Sequence, residues 1–474
     1  MPTLAAVPTA ARRTACALAL LLAAPAQAQD AAAPYAGAAR QLIDAALADS
    51  SAFDRVAEIA DAFGPRLSGT AALEAAIDHV LDRMRADGLE NVRGQPVMVP
   101  AWVRGAESAV LVTPSGEIDL PMLGLGGSVG TGPGGVEAEV LVVGSFDELA
   151  ARAAEAQGRI VLFDVPFTTY GETVAYRVTG ATAAAQAGAV ASLVRSVGPT
   201  GLSTPHTGTM RYADGAPRVP HAAVTIEAAE ALRRIQDRGG RPVVRLTMGA
   251  TTEPDRLSRN VIGEVVGRER PDETVVVGCH IDSWDVGQGV HDDLAGCVVT
   301  WEAVRLMAAL GLRPRRTVRV VMWTNEENGL RGALAYRDSL GPDVSKVQLA
   351  LESDSGVFAP VGFGYTGAEP GRAMLAARVE PLVRDLLMAD SEAGPAGITE
   401  GGGGADIGPM MRDGVPGLSL RTDNGLYFVY HHTPADTVDK LDPGHVARAV
   451  AATAVLAYVA AEMPERLPHA PPSE

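Results

Sequence analysis

Apolar positions recur along this chain in two rhythms, and their alternation predicts a layered α/β protein. Short unbroken apolar runs predict buried strands at 274–279, 316–323, 347–351 and 426–430. Spacings of three and four predict helices. Such spacings join Leu42, Ile43, Ala46 and Leu47, then Val56, Ile59, Ala60 and Phe63. They recur at Leu73, Ile77, Val80, Leu81 and Met84, where Thr70 is placed to cap the helix start. A further helix follows from Leu294, Cys297, Val298, Trp301 and Val304, and a last one from Val446, Val450, Ala454, Ala457, Tyr458 and Ala461. Strands are also predicted at 91–99 and 108–112.

The pattern changes in the middle of the chain. Residues 124–135 hold seven glycines and read as a linker. Beyond it, strands are predicted at 136–144, 159–164, 189–194 and 243–248, with helices at 181–187 and 227–236, the latter entered through 220–226. A separate block therefore spans about 126–250. His206 and His221 fall inside it and read as structural or surface histidines. The tail, 466–474, is rich in proline and is expected to fray.

The N-terminus follows a different logic. Arg12 and Arg13 precede an apolar run at 15–24, and Ala26-Gln27-Ala28 fits a small-residue cleavage site. Residues 1–28 therefore read as a signal peptide, cleaved near Ala28, and the protein as exported. That run is too short to cross a bilayer, which takes ~20 apolar residues, and no other run reads as a membrane span. Composition adds little. The 474 residues leave room for two domains, and a net charge of −17 argues against nucleic acid or an anionic membrane as the partner. Cys279 and Cys297 could be joined in an exported protein. One sits at a strand end and the other faces inward on a helix, so they are read as two buried thiols.

The candidate chemistry sits where the predicted strands end. The first run ends in His280-Ile281-Asp282 and is followed, across a turn-rich loop, by His291-Asp292-Asp293. The second ends at Glu326-Glu327, the third at Glu352-Ser353-Asp354, and the fourth at His431-His432 with Asp436 four residues on. In a parallel sheet the C-terminal ends of strands lie side by side, so these residues converge. Histidines with carboxylates suit zinc, and a set this large suits two ions. Asp292 carries two oxygens and can bridge such a pair. No G-x-S-x-G elbow is present for a serine hydrolase, and no G-K-[ST] follows the glycines of 401–404 to cradle phosphate.

The order HxD, Asp292, Glu-Glu, ExD and HxxxD resembles the co-catalytic zinc exopeptidases. The words HIDSWDVGQG and ESDSG strengthen the resemblance, as do Gly64-Pro65-Arg66-Leu67-Ser68-Gly69 and Trp102-Val103-Arg104-Gly105. It implies an α/β fold with a mixed sheet flanked by helices. A discontinuous catalytic domain would span 36–125 and 251–465, and 126–250 would be an inserted protease-associated domain shaping the site entrance. The resemblance also implies two zinc ions per chain. His280 and Asp354 complete one site, Glu327 and His432 the other, and Asp292 bridges. Glu326 is then the base that takes a proton from water, and Asp282 the carboxylate that holds the second nitrogen of His280.

His291 and His431 border the set and are read as non-ligands. Asp293 is read as a first-turn acid of the helix, and Asp436 is a candidate to orient His432. Asp406 could touch the substrate or cap a helix. Arg421, Tyr427 and Tyr430 are candidates to bind a substrate carboxylate or an oxyanion, with core packing the default for the tyrosines. The resemblance points to a carboxypeptidase or dipeptidase acting on small peptides, as a homodimer. Open alternatives are an aminopeptidase on the same site, a glutaminyl cyclase with one zinc, and a non-catalytic binding protein.

Overall fold

The computed structural model describes residues 31–472, so the predicted signal peptide lies outside it. The amphipathic segments near the start fold as expected, into helices Ala36–Ala48, Ser51–Phe63 and Ala71–Ala86. The Thr70 hydroxyl accepts from the Leu73 amide and so caps the third. Their buried faces (Leu42, Val56, Ile59, Ile77 and Val80 among them) pack with helices Ala295–Ala309 and Pro443–Glu462 in one core over the first sheet. By composition and length Pro443–Glu462 could cross a membrane, but most of it is buried here. Its apolar surface is spent on the protein core.

The first sheet has eight strands, in the order Glu90–Val103, Thr251–Val265, Arg316–Trp323, Arg270–His280, Val347–Glu352, Gly417–Thr422, Pro360–Thr366 and Gly397–Glu400. Arg270–His280 runs parallel to both Arg316–Trp323 and Val347–Glu352, which in turn is parallel to Gly417–Thr422. The outer pairings are antiparallel, except that Pro360–Thr366 and Gly397–Glu400 pair in parallel. The central strands are sealed on both faces by the helices, which is why they read as continuous apolar runs. The fourth parallel strand is not the predicted 426–430. That segment turns into a short helix, Tyr427–Tyr430, after Asn424-Gly425 breaks the chain. The true strand, Gly417–Thr422, alternates Leu418 and Leu420 with Ser419 and Arg421 and so has no apolar run.

The second sheet is also eight-stranded. Its order is Gly116–Asp119, Glu107–Thr113, Val243–Met248, Val136–Val143, Ile160–Phe163, Ala191–Arg195, His221–Val224 and Met122–Gly124. Three of these strands precede residue 125, in the stretch the sequence assigns to the catalytic part. The glycine-rich stretch after them is no loose linker. The Trp284 ring lies where a Cβ on Gly126 would come within 2.1 Å of it, and the Trp102 indole donates to the Ser128 carbonyl at 3.0 Å. Glycine lets the backbone pass under the tryptophan.

Two further expectations are corrected. Cys279 and Cys297 are joined in a disulfide, because the helix Ala295–Ala309 packs directly on the strand and brings the two Cα atoms to 4.9 Å. The tail packs as far as residue 470. Leu467 is buried, the buried Arg316 guanidinium caps the Met463 carbonyl, and the Ala470 amide donates to Gly414.

His221 is fully buried in the second sheet, and loss of solvent pushes its pKa down to about 4. The unfolded chain takes up a proton near ~6.5 that the folded chain refuses until about pH 4. Stability should therefore fall as pH drops through that window, by on the order of 3 kcal/mol in full. Urea unfolding of His221→Gln is expected to show a flatter acid limb than the parent. Parallel curves would sink this assignment.

Candidate metal centre and active site

Four segments carry the predicted ligands to one place. His280 ends strand Arg270–His280, Glu326-Glu327 follow Arg316–Trp323, and Asp354 follows Val347–Glu352. His432 lies just past Tyr427–Tyr430. Asp292 stands between them on the loop ahead of helix Ala295–Ala309. Its Oδ1 lies 3.1 Å from Nε2 of His280, and its Oδ2 lies 3.1 Å from Nε2 of His432. Asp354 Oδ1 approaches His280 Nε2 at 3.6 Å, and Glu327 Oε2 approaches His432 Nε2 at 3.1 Å. One carboxylate thus faces two imidazoles, each flanked by a second carboxylate.

The donor set fits divalent cations. Nδ1 of His280 faces the Asp282 carbonyl at 2.9 Å, and Nδ1 of His432 faces the Thr207 carbonyl at 3.3 Å. A carbonyl can only accept, so Nδ1 of His280 carries the hydrogen and its Nε2 offers its lone pair to the centre. Nδ1 of His432 lies equally close to Arg177 Nη1, a donor, and it is the carboxylates around its Nε2 that mark the ring as a ligand. Buried Asp292 Oδ2 and Glu327 Oε1 have no hydrogen-bond donor. Burial disfavours a charged ring at His280, but Asp292 and Asp354 outweigh it and raise the pKa well above the ordinary value. At His432 burial is likewise outweighed, by Glu327 and Asp292, and the pKa rises to about 10. The field that attracts a proton here attracts a divalent cation too. His431, set aside on sequence, stacks on His432 with ring centres 3.5 Å apart and reaches within 3.6 Å of Asp292 Oδ2. It is a further possible donor beside Glu327.

The surroundings hold these groups by their backbones. Arg66, fully buried, donates to the carbonyls of Ile281, Gln288 and Gly289 and so pins the loop between His280 and Asp292. Asp436 does not orient His432. Its two oxygens accept from the His291 and Asp292 amides at 2.9 and 3.1 Å. Asp293 accepts from the His280 amide at 3.3 Å and does not cap the helix. Asp282 was expected to hold the His280 ring with its carboxylate. The ring is held by its backbone carbonyl, while the carboxylate accepts from Ser68 at 2.9 Å and from the Glu326 amide at 3.1 Å. Asp282→Asn is therefore expected to lower kcat by ~10–100-fold with zinc content unchanged, because it loosens the Glu326 turn and spares His280. Metal analysis beside kinetics decides this, and loss of zinc would contradict it.

Glu326 is half-buried and lines a cavity of about 390 Å³ together with Asp292, Glu327 and Asp354. Burial first, then the neighbouring Asp354 and Glu327, raise its pKa well above the ordinary value. Three weak candidates are absent from the cavity wall. Arg421 spends its guanidinium on Ala393, Pro395 and Thr399. The Tyr430 ring stacks toward His291 at 5.8 Å. Asp406 is buried without donors to either oxygen, and burial with the Glu352 and Glu326 charges raises its pKa. It neither caps helix Gly408–Arg412 nor lines the cavity. Tyr427, also a candidate on sequence, does line the cavity and brings its hydroxyl to 3.5 Å from Asp354. The residues missed on sequence are Tyr170, Arg177 and Arg211, which reach the cavity from the segment around the second sheet.

Zinc-dependent metallopeptidases are built on this plan, with imidazoles and carboxylates around the ions and a free glutamate beside them, and the chain is one of them. It belongs to peptidase family M28, whose model matches residues 260–457. Carboxypeptidase Q from Mus musculus is 46% identical over 419 residues, covering 88% of this chain and 87% of that protein. The crystal structure of a peptidase M28 precursor from Shewanella amazonensis superposes with a TM-score of 0.87 at 33% identity, covering 92% of this chain and 99% of that one. A zinc aminopeptidase from Bacillus subtilis shares the fold, with a TM-score of 0.65 at 20% identity over 88% of this chain and 98% of that one. The protein is a metallo-exopeptidase acting on peptide substrates.

Proposed function

We propose that the protein is an exported carboxypeptidase or dipeptidase that hydrolyses small peptides with two zinc ions. His280, Asp292 and Asp354 would hold one ion, and Asp292, Glu327 and His432 the other. Zinc supplies Lewis acidity there, polarising a carbonyl and lowering the pKa of water toward ~7. Glu326 takes the proton from the attacking water and delivers it to the departing amine. Asp282 keeps the Glu326 amide in place, and the Tyr427 hydroxyl stands over Asp354.

One observation carries the choice of substrate end. The cavity-lining carboxylates among the described residues are Asp292, Glu326, Glu327 and Asp354. Each is already used for an ion or as the base, so none is left to hold a substrate's free amine, as an aminopeptidase requires. The cavity volume of about 390 Å³ suits a short peptide. The similarity to carboxypeptidase Q points the same way.

The test offers one peptide sequence to the zinc-loaded protein as free dipeptide, longer free peptide, N-blocked and C-amidated forms. Cleavage of the N-blocked form with the C-amidated form spared is expected of a carboxypeptidase, and cleavage of the free dipeptide alone of a dipeptidase. The inverted pattern would make it an aminopeptidase, and no cleavage at all would overturn the reading.

The block around the second sheet is read as the protease-associated insertion, and export rests on the N-terminal pattern. Sequencing of secreted protein should begin at Gln29. For the homodimer, the support is Met98 and Leu257, paired across an edge of the first sheet and 51% and 59% exposed. Light scattering should return twice the chain mass.

A further inference from the structure

His432 has a backbone that needs holding. Its φ of +61° lies in the left-handed region, which is uncommon for any residue but glycine. The hold comes from the segment around the second sheet. The Thr207 amide donates to the His432 carbonyl at 2.9 Å, and the Thr207 carbonyl stands 3.3 Å from Nδ1 of the ring. The ring also meets Trp284 edge to face, with centres 5.7 Å apart. Trp284 lies on the loop between His280 and Asp292, so two distant pieces of chain steady one imidazole.

Arg104 joins those two pieces. It stands where the chain leaves the first sheet for the second, between strands Glu90–Val103 and Glu107–Thr113, and its side chain is 11% exposed. Its guanidinium meets Asp285, the neighbour of Trp284, as a fork: Nε donates to Oδ2 at 2.8 Å and Nη2 to Oδ1. The same Nη2 donates to the Thr207 hydroxyl at 3.2 Å, and Nη1 donates to the Gly124 carbonyl. The Thr207 hydroxyl donates to that carbonyl as well, at 2.9 Å. Glu107 closes the cluster. One of its oxygens accepts from the Gly124 amide at 3.0 Å, and the other lies 3.5 Å from Nη1 of Arg104. Glycine is required at 124, where a Cβ would come within 2.7 Å of the Glu107 carboxylate.

We infer that Arg104 is a positioning residue for the metal centre, setting the place of His432 relative to Asp292 and Glu327 through its fork on Asp285 and its bond to Thr207. This rests on the two-zinc reading above. His280 and Asp354 need no such device, because each follows directly from one of two strands that pair with each other. His432 lies in a turn past a four-residue helix, and its register with the other donors depends on contacts from outside the sheet. The effect of Arg104 therefore falls on the ion held by Glu327 and His432. Arginine suits the task because its planar fork fixes direction as well as charge.

The test titrates zinc into the full metal-free protein against a coloured chelator, which reads the affinity of each ion without turnover. The parent is expected to bind two ions. Glu327→Gln marks the constant that belongs to the His432 ion, and Asp354→Asn marks the other. Arg104→Gln is expected to weaken the His432 ion about 10-fold and to leave the other unchanged. Arg104→Lys should fall between, since it keeps the charge and loses the fork. Thr207→Val removes the hydroxyl alone and should weaken the same ion about threefold. At limiting zinc the kcat of Arg104→Gln should fall, and excess zinc should return it to the parental value.

Equal weakening of both ions, or unchanged affinities beside a lower melting temperature, would make the cluster a brace between the two sheets and overturn the inference. A loss confined to the Asp354 ion would also overturn it, as would a kcat that excess zinc leaves low. Should Arg104→Gln fail to fold, Thr207→Val decides, and parental zinc affinity in that variant overturns the inference. A parent that binds a single ion would overturn the two-zinc reading itself, before any variant is compared.

Discussion

Glu326→Gln is expected to lower kcat by about 10³-fold while zinc content and thermal stability stay at parental values. The glutamine keeps the shape and the amide that Asp282 holds, but it cannot accept and release a proton at neutral pH. Glu326 is half-buried among carboxylates, and burial with their charge keeps its affinity for a proton high. Bound cations would offset part of that affinity. The adjacent Glu327 provides the control. Its Oε2 faces His432, so Glu327→Gln should lose zinc as well as activity. Metal analysis by mass spectrometry, run beside steady-state kinetics on both variants, separates the roles. Zinc lost from Glu326→Gln and kept by Glu327→Gln would mean that they are exchanged.

Asp292→Asn should produce the second large effect, on both ions together. Each oxygen of Asp292 faces a different imidazole nitrogen. An amide leaves one oxygen and turns an NH₂ toward the other lone pair, so one site loses a donor and both lose a negative charge. Zinc after dialysis is expected to fall well below two per chain, with kcat/KM down by at least ~100-fold. Added zinc should also raise the melting temperature less than in the parent, since a weaker ligand stabilises the fold less at the same concentration. A variant that keeps two tight ions would show that Asp292 does not bridge.

The sequence disclosed most where the pattern was local. Thr70 marks a helix start whatever the rest of the fold does, and Val243–Met248 shows its bounds in its own apolar alternation. The convergence of the proposed metal donors was also legible, because each sits at the end of an apolar run or just past a loop, and parallel pairing brings such ends together. What stayed hidden depended on partners distant in sequence. Nothing in the residues around Asp282 shows that its carbonyl holds His280 while its carboxylate holds Glu326. The bridge between Cys279 and Cys297 exists because a helix lies on its own strand, a packing distance no spacing reveals. Leu426 to Tyr430 misled because aromatic bulk reads as a strand even where Asn424-Gly425 has turned the chain. Arg177 did leave a trace. It falls on the same helical stripe as Thr173, Ala181 and Ala184, and a charge on an alanine face asks what it is for.

The donors that face the ions come from residues 280–354 and 432, whereas both cavity cations come from 177–211. The proposed metal donors and these cavity arginines therefore lie in separate stretches of the chain. Substitutions in the second stretch alone would be expected to alter what the cavity admits while leaving the donor set untouched. A chimera that exchanges that stretch between two such proteins would be expected to trade their preferences while each keeps its own turnover chemistry.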